Sequence, residues 1–239
     1  MEKLELLYEG KAKKIYKTND RNVYWVEYKD DATAFNGEKK GTILGKGELN
    51  NRISSIFFKM LSEKGIENHY IQSLSPTEQI VKKVKILPLE VVVRNIAAGS
   101  MAKRLGLEEG TEIKQPVVEL YYKNDALGDP LINEDHVAVL ELAELQQLKK
   151  MKEMALRIND ILKPFLLDRK VILVDFKLEF GITDEGELIL ADEISPDTCR
   201  FWDSTTNEKL DKDRFRRDLG GVENAYREIL KRLGGVANV

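Results

Sequence analysis

The segment Leu173-Val-Asp-Phe-Lys-Leu-Glu-Phe-Gly181 restricts the fold more than any other stretch of this chain. Side chains alternate between the faces of a strand, so Phe176, Leu178 and Phe180 share one face and Asp175, Lys177 and Glu179 the other. In isolation this is the pattern of an edge strand with a solvated side. The partner strand changes that reading. Glu187-Leu-Ile-Leu-Ala-Asp192 is apolar until it ends in Asp192-Glu193, and the turn Thr183-Asp-Glu-Gly186 joins the two. A two-residue Glu185-Gly186 turn sets Glu179 opposite Asp192, whereas a bulged turn moves the pairing by one residue. Carboxylates directly opposite each other destabilise a sheet, and a divalent cation offsets that repulsion. Two hard oxygen ligands, with water and phosphate completing the shell, describe a Mg²⁺–nucleotide site.

Further candidates for chemistry lie upstream. Leu87-Pro-Leu-Glu-Val-Val-Val-Arg94 is β-branched and apolar, a buried strand that accepts Pro88 only at its start. Glu90 and Arg94 fall on one face of it, either as an ion pair in the sheet or as part of a site. Gly99-Ser100 precedes a short helix, Met101-Ala-Lys-Arg-Leu105, and offers amides and a hydroxyl to an anion. With Arg94 nearby, that anion is read as a substrate phosphate. Tyr8-Glu-Gly10-Lys11-Ala-Lys13-Lys14-Ile15 is either a solvated turn or a glycine hairpin whose lysines close over nucleotide phosphates; it is neither a Walker A sequence nor GxGxxG. Ser195-Pro-Asp197-Thr-Cys-Arg200-Phe-Trp202 reads as a polar turn directly after the proposed metal carboxylate. Cys199 within it is a packing residue, since neither histidine stands in a recognisable pairing with it.

The remaining pattern is α+β, strand-rich at the front and helix-rich later. Strands are expected over 4–8, 15–17 and 23–28, followed by a long mobile loop from Asp30 to Gly47. Apolar residues at 49, 53, 56, 57, 60 and 61 follow the helical period, with Gly65 placed to end that helix. Ile80 to Val84 reads as a strand, and Lys82 to Pro88 as a connector between lobes. An apolar stripe from 142 to 165 draws the longest helix, which Pro164 kinks or ends. Asp211 caps a short helix at Lys212, and an amphipathic helix runs from Val222 to Leu233. The 38 basic and 41 acidic residues, net −3, disfavour broad binding to nucleic acid or anionic lipid. One cysteine and two histidines leave too few soft ligands for structural zinc. No apolar stretch approaches the ~18 residues that span a bilayer, and MEKLELLYEG lacks a basic-then-apolar signal pattern. The expected address is the cytoplasm.

Ile86-Leu-Pro-Leu-Glu-Val-Val-Val-Arg-Asn-Ile-Ala-Ala-Gly-Ser100 and the 173–181 segment resemble the two signature segments of the SAICAR synthetase family. The similarity continues from the Tyr-Glu-Gly-Lys-Ala-Lys segment through Lys123-Asn-Asp125, Asp192-Glu-Ile-Ser-Pro-Asp197 and Asp211-Lys-Asp-Arg214 to the final helix. It implies an α+β fold related to ATP-grasp enzymes and protein kinases. An antiparallel β lobe that binds ATP, residues 1–85, would pack on a larger α+β lobe, residues 86–239, carrying the metal and substrate sites. The implied reaction is the ATP-driven condensation of carboxyaminoimidazole ribonucleotide (CAIR) with L-aspartate to SAICAR, ADP and phosphate. It belongs to de novo purine synthesis, and an acyl phosphate would activate the CAIR carboxylate.

By the same resemblance Glu179 and Asp192 hold Mg²⁺. Lys11, Ala12, Lys13, Ile15 and Lys123 meet ATP, and the adenine lies against the Lys82 to Ile86 connector with Val84. Glu90, Arg94, Ser100 and Arg200 bind CAIR, Asp175 contacts its ribose, and Lys177 its reacting carboxylate; Asp175 and Lys177 are the implied catalytic pair. L-Aspartate is expected near the Asp31 to Asn36 loop and Asp197. A homodimer is implied, with no nucleic-acid or membrane partner. The rival enzyme class is a kinase-like phosphotransferase in which Asp175 is the base toward a hydroxyl acceptor. The non-enzymatic rival is a nucleotide-binding module without catalysis, against which the intact Lys177, Glu179 and Asp192 stand.

Overall fold

The computed structural model of this chain describes residues 1–34 and 37–235. The strand-rich front yields β1 (Lys3–Glu9), β2 (Lys13–Thr18), β3 (Val23–Tyr28), β4 (Asp31–Ala34) and β5 (Lys39–Thr42). α1 (Lys46–Glu63) follows, then β6 (Tyr70–Ser73), β7 (Glu78–Lys82) and β8 (Lys85–Ile96). Next come α2 (Gly99–Leu105), β9 (Glu112–Tyr122), β10 (Leu131–Ile132), α3 (Glu134–Val139) and α4 (Leu145–Leu167). The chain ends with β11 (Val171–Ile182), β12 (Leu188–Ala191), β13 (Cys199–Asp203), α5 (Asp213–Arg216) and α6 (Val222–Arg232). The first sheet is antiparallel, in the order β1-β2-β3-β7-β6. The second runs β10-β9-β8-β11-β12, with β13 also on β11. The apolar stripes of α1, α4 and α6 and one face of the second sheet form a continuous core that includes Phe57, Met151, Phe176, Phe180 and Tyr226.

β11 is central, not an edge. β8 covers one side from Asp175 to Ile182, while β13 and β12 share the other side end to end. Its core face begins with Val171 and Leu173 and continues with Phe176, Leu178 and Phe180. That change of parity needs one extra residue. The register against β13 shifts by one between Leu173 and Asp175, a β-bulge that leaves Val174 packed with Ala98 and Trp202. The bulge lets Val171 and Leu173 join the core face, while beyond it ordinary alternation keeps Asp175 on the side of Lys177 and Glu179, away from the core.

The β11–β12 hairpin takes the bulged option. Gly186, at φ +85°, closes the loop, with Thr183 N–H donating to Glu187 O at 2.9 Å and Gly186 N–H to Thr183 O at 3.0 Å. Glu179 therefore faces Ala191, and Asp192 is the next residue along. Other expectations are corrected. The segment from Asp30 to Gly47 is not all loop: β4 and β5 pair as a hairpin, and Phe35 and Asn36 lie outside the described residues. The connector between the sheets shrinks to Lys83-Val84, because β7 ends at Lys82 and β8 begins at Lys85. Pro88 sits inside β8, where its carbonyl accepts from Lys123 N–H at 3.0 Å. Pro164 stands in the last turn of α4 and does not end it, since the helix continues to Leu167. Cys199 to Trp202 are strand β13, not turn. α5 begins one residue later than expected, at Asp213 with Lys212 before it, and Asp211 Oδ1 accepts from Asp213 N–H at 2.7 Å. Among the described residues no helix is long and apolar enough to cross a membrane.

Candidate functional site

Two strands and their register build the site. Opposite each other across β8 and β11 stand Arg94 with Asp175 and Glu90 with Glu179. The first couple attract and the second repel. Arg94 donates to Asp175 at 2.7 Å and to Glu119 of β9 at 2.6 Å, and its Nη2 lies 3.3 Å from Ser100 Oγ. Arg200, projecting from β13, reaches the same Asp175 at 2.9 Å and Asp213 at 2.9 Å. Burial works against the Arg94 charge, but Asp175, Tyr121 and Glu119 outweigh it and hold the guanidinium above its ordinary value. Arg94, Asp175 and Arg200, predicted from scattered segments, thus meet in one pocket with Arg216 and Thr198 on its wall, and Ser100 stands beside it against Arg94. Both Asp175 oxygens are committed to arginines, which makes it an orienting group for Arg94 and Arg200.

Toward the other end of β11, Lys177 resolves the repulsion. Its ammonium donates to Glu179 at 2.5 Å and Glu90 at 3.2 Å, and lies 3.5 Å from Asp192. Lys13 of β2 pairs with Asp192 and, at 2.9 Å, with Glu193; Lys123 pairs with Glu179. Burial opposes the Lys177 and Lys13 charges, yet the surrounding carboxylates raise both well above the ordinary lysine value. Burial likewise opposes the Asp192 charge, and Lys13, Lys177 and Lys123 overcome it to keep that carboxyl far below its usual range. Asp192 occupies a left-handed conformation, φ +59°, which turns it out of the ladder and toward Lys13. Four carboxylates face three ammonium groups here, leaving one negative charge over.

That surplus is the test of the expected cation. Lys177 bridges Glu179 and Asp192, showing that the two carboxylates converge on one cation-sized position. Among the described residues no group of three or more His, Cys, Asp or Glu has the arrangement of a metal cage. Two carboxylates with the rest of the shell left to phosphate and water is the way Mg²⁺ is usually held. The donor set fits.

Between the two sheets lies a cleft of about 520 Å³, of a size to take a nucleotide. Ala12, Ile15, Val26, Val81, Val84 and Ile86 supply its apolar wall, and Lys13, Lys123, Lys177, Glu179 and Asp192 its polar end. Lys11 lies at the rim, paired with the exposed Asp125 at 2.6 Å, and Lys82 faces Glu67 at 3.6 Å. His69 lines the wall, and burial pushes its imidazole down to about 3, so it is neutral. Asp197 is buried rather than open: Lys46 donates to it at 2.9 Å and Tyr226 at 2.6 Å. Of the expected aspartate-site loop, Asp31 pairs with Lys29 at 2.7 Å. Glu90, Lys177, Asp197 and Thr198 line both the cleft and the arginine pocket, so the two spaces share a wall.

Glu119, Glu193, Lys46, Lys212, Asp213 and Arg216 were not singled out from sequence as site residues. Glu119 had a signal, since it alternates with Val117 and Tyr121 on β9 and is the only acid among them on that face. Lys46 had none, because a lysine at a helix start reads as solvated.

A nucleotide-sized cleft with lysines over converging carboxylates, joined to an arginine-lined anion pocket, defines a nucleotide-dependent enzyme of the α+β class. Comparison with known proteins narrows this. The sequence profile of SAICAR synthetase matches residues 6–233. The phosphoribosylaminoimidazole-succinocarboxamide synthase of Brevibacillus brevis is 67% identical over 239 residues, all of both chains. A crystal structure of the synthase from Ehrlichia chaffeensis superposes with a TM-score of 0.95 at 48% identity, covering 98% of this chain and 100% of that one. A SAICAR synthetase in complex with ADP gives 0.94 at 53% identity, with the same coverage. The chain belongs to the SAICAR synthetase family.

Proposed function

We propose that this chain condenses CAIR with L-aspartate, driven by ATP, to give SAICAR, ADP and phosphate in purine synthesis. The observation that carries the proposal is the wall shared by the nucleotide cleft and the arginine pocket. A γ-phosphoryl group in one space and a ribotide carboxylate in the other meet at Lys177, with no protein nucleophile required. The phosphoryl group passes to the CAIR carboxylate. The aspartate amine then attacks that carbonyl carbon, losing a proton, and phosphate leaves as the amide forms. Lys13 and Lys123 neutralise the polyphosphate, Lys177 orients the carboxylate, and Arg94, Ser100 and Arg200 hold the ribotide phosphate. Asp175 aims the two arginines and meets the ribose. Glu179 and Asp192 would hold Mg²⁺, which when bound shields the charge of the triphosphate. Catalysis of this kind is mostly positioning and electrostatics.

The proposal includes a division of labour, with residues 1–85 forming most of the nucleotide wall and 86–239 carrying CAIR and metal. It includes a cytoplasmic location, expected from the sequence, and a homodimer, expected from the family resemblance; light scattering on the purified chain checks the dimer. The arginines that occupy Asp175 speak against its use as the base of a hydroxyl kinase. The test is ADP release: it should require CAIR and L-aspartate together and yield a new amide by mass spectrometry. ADP formed with a sugar alcohol, and none with CAIR plus aspartate, refutes the reading.

A further inference from the structure

Carboxylates alone do not fix Lys13. It lies directly across from Tyr28 in the β2–β3 ladder, so the two side chains share one face of the sheet. Tyr24 and Val26, earlier on that face of β3, line the nucleotide cleft. Tyr28, the next on it, is buried and takes no part in the cleft wall; the Lys13 ammonium lies 5.3 Å from the centre of its ring. An ammonium has three donors. Asp192 and Glu193 engage Lys13 from one side and the electron-rich ring face closes another, which leaves the cleft as the open direction.

The phenol hydroxyl is tied down in turn. Gln79 Nε2 of β7 donates to it at 3.2 Å, and Ser54 of α1 hydrogen-bonds it as well. Burial pushes the phenol above its ordinary value, so the group stays neutral. Ser54 Oγ also accepts from Ile194 N–H at 3.2 Å, two residues after Asp192. Tyr28, Gln79 and Ser54 are all buried, so water does not compete for these hydrogen bonds. One hydroxyl thereby joins the first sheet and α1 to the segment that carries Asp192 and Glu193.

We propose that Tyr28 is a positioning residue for the phosphate-facing lysine: its ring seats the Lys13 ammonium, and its hydroxyl, through Ser54, keeps Asp192 and Glu193 beside that ammonium. This rests on the condensation proposed above, in which Lys13 meets the polyphosphate. Tyr28 acts only through Lys13 and Ser54. A role in packing alone, within the small apolar cluster of Val26, Tyr28 and Val81, would affect all substrates alike.

The experiment measures ADP binding by titration calorimetry, in EDTA and in Mg²⁺, together with the CAIR KM from ADP release. The variants are Tyr28→Leu, Tyr28→Phe, Ser54→Ala and the double variant Tyr28→Phe with Ser54→Ala. Loss of a desolvated cation–ring contact predicts that Tyr28→Leu weakens ADP binding in EDTA about 5- to 30-fold. Tyr28→Phe keeps the ring and should recover most of that affinity. The CAIR KM should stay within about twofold in both, since the pairs of Arg94 and Arg200 are untouched. In Mg²⁺, Tyr28→Phe and Ser54→Ala should each weaken ADP binding about 2- to 10-fold. The double variant should lose no more than either single one, because both break the same link. If Tyr28→Leu fails to show a cooperative melt, this non-additivity carries the test. An unchanged ADP affinity in Tyr28→Leu, equal losses for ADP and CAIR, or additive losses in the double variant overturn the proposal. A wild-type chain without CAIR- and aspartate-dependent ADP release refutes the underlying function instead, a separate result.

Discussion

Gly99→Ala tests how the anion pocket is assembled. Gly99 has φ +53°, and a Cβ placed on it would lie 2.4 Å from Arg200 Nη2 and 2.8 Å from its Cζ. Ordinary contact needs roughly 1 Å more, because non-bonded carbon contacts settle near 3.5 Å. The guanidinium has nowhere to go without loosening its pairs with Asp175 and Asp213, both at 2.9 Å. Each such charged hydrogen bond is worth about 1.5–3 kcal/mol, and the left-handed backbone adds about 1 kcal/mol. Gly106→Ala is the control, since Gly106 has φ +65° and nothing within 4 Å of its would-be Cβ. It bears the backbone cost alone. The assay is ADP release with CAIR varied, together with urea unfolding of both variants. Gly99→Ala should raise the CAIR KM on the order of tenfold or more, a tenfold change being 1.4 kcal/mol. It should also destabilise by about 1–3 kcal/mol beyond the control. If the two variants have equal stability and equal CAIR KM, Arg200 is not held where this reasoning puts it.

Two further outcomes follow from the charged cluster and the buried acids. Asp192→Asn removes one of the converging carboxylates, so the fold should survive while turnover at limiting Mg²⁺ falls sharply; a Mg²⁺ titration superimposable on wild type would remove the metal assignment. Asp213 is buried, and although burial opposes its charge, Arg200 and Arg216 hold the carboxyl at about 2 against 3.8 unperturbed. A depressed folded value means stability present above pH 3.8 and lost as the pH falls through about 2, roughly 2 kcal/mol in all. Urea unfolding of wild type and Asp213→Asn from pH 6 to pH 2 should show a gap that closes toward pH 2; a gap independent of pH counts against the ion-pair account.

Much of the site was legible because it lies on strands. Period-two alternation put Lys177 and Glu179 on one face and Phe176, Leu178 and Phe180 on the other, as the structure has them. The long helices were legible from their apolar stripes. What failed were features set by strand pairing and its register. Pro88 inside β8 is tolerated because it falls at the register shift between Ile86 and Glu90, where the ladder to β11 is interrupted, and β4–β5 form where glycines and asparagine suggested loop. Lys11, expected at the phosphates, lines the cleft at its rim, where it pairs with Asp125.

The repeat of apolar and charged residues within single strands dictated which side chains go inward, since hydrophobic burial acts on neighbours two residues apart. Tertiary structure alone decided that Glu90 faces Glu179, that a bulge brings Val171 and Leu173 onto the core face, and that Lys13, Lys123 and Lys177 converge at the site. Those groups come from four segments far apart in the chain. Their attraction exists only once the sheets have brought them out of water and within a few ångströms, where charge pairing outweighs desolvation.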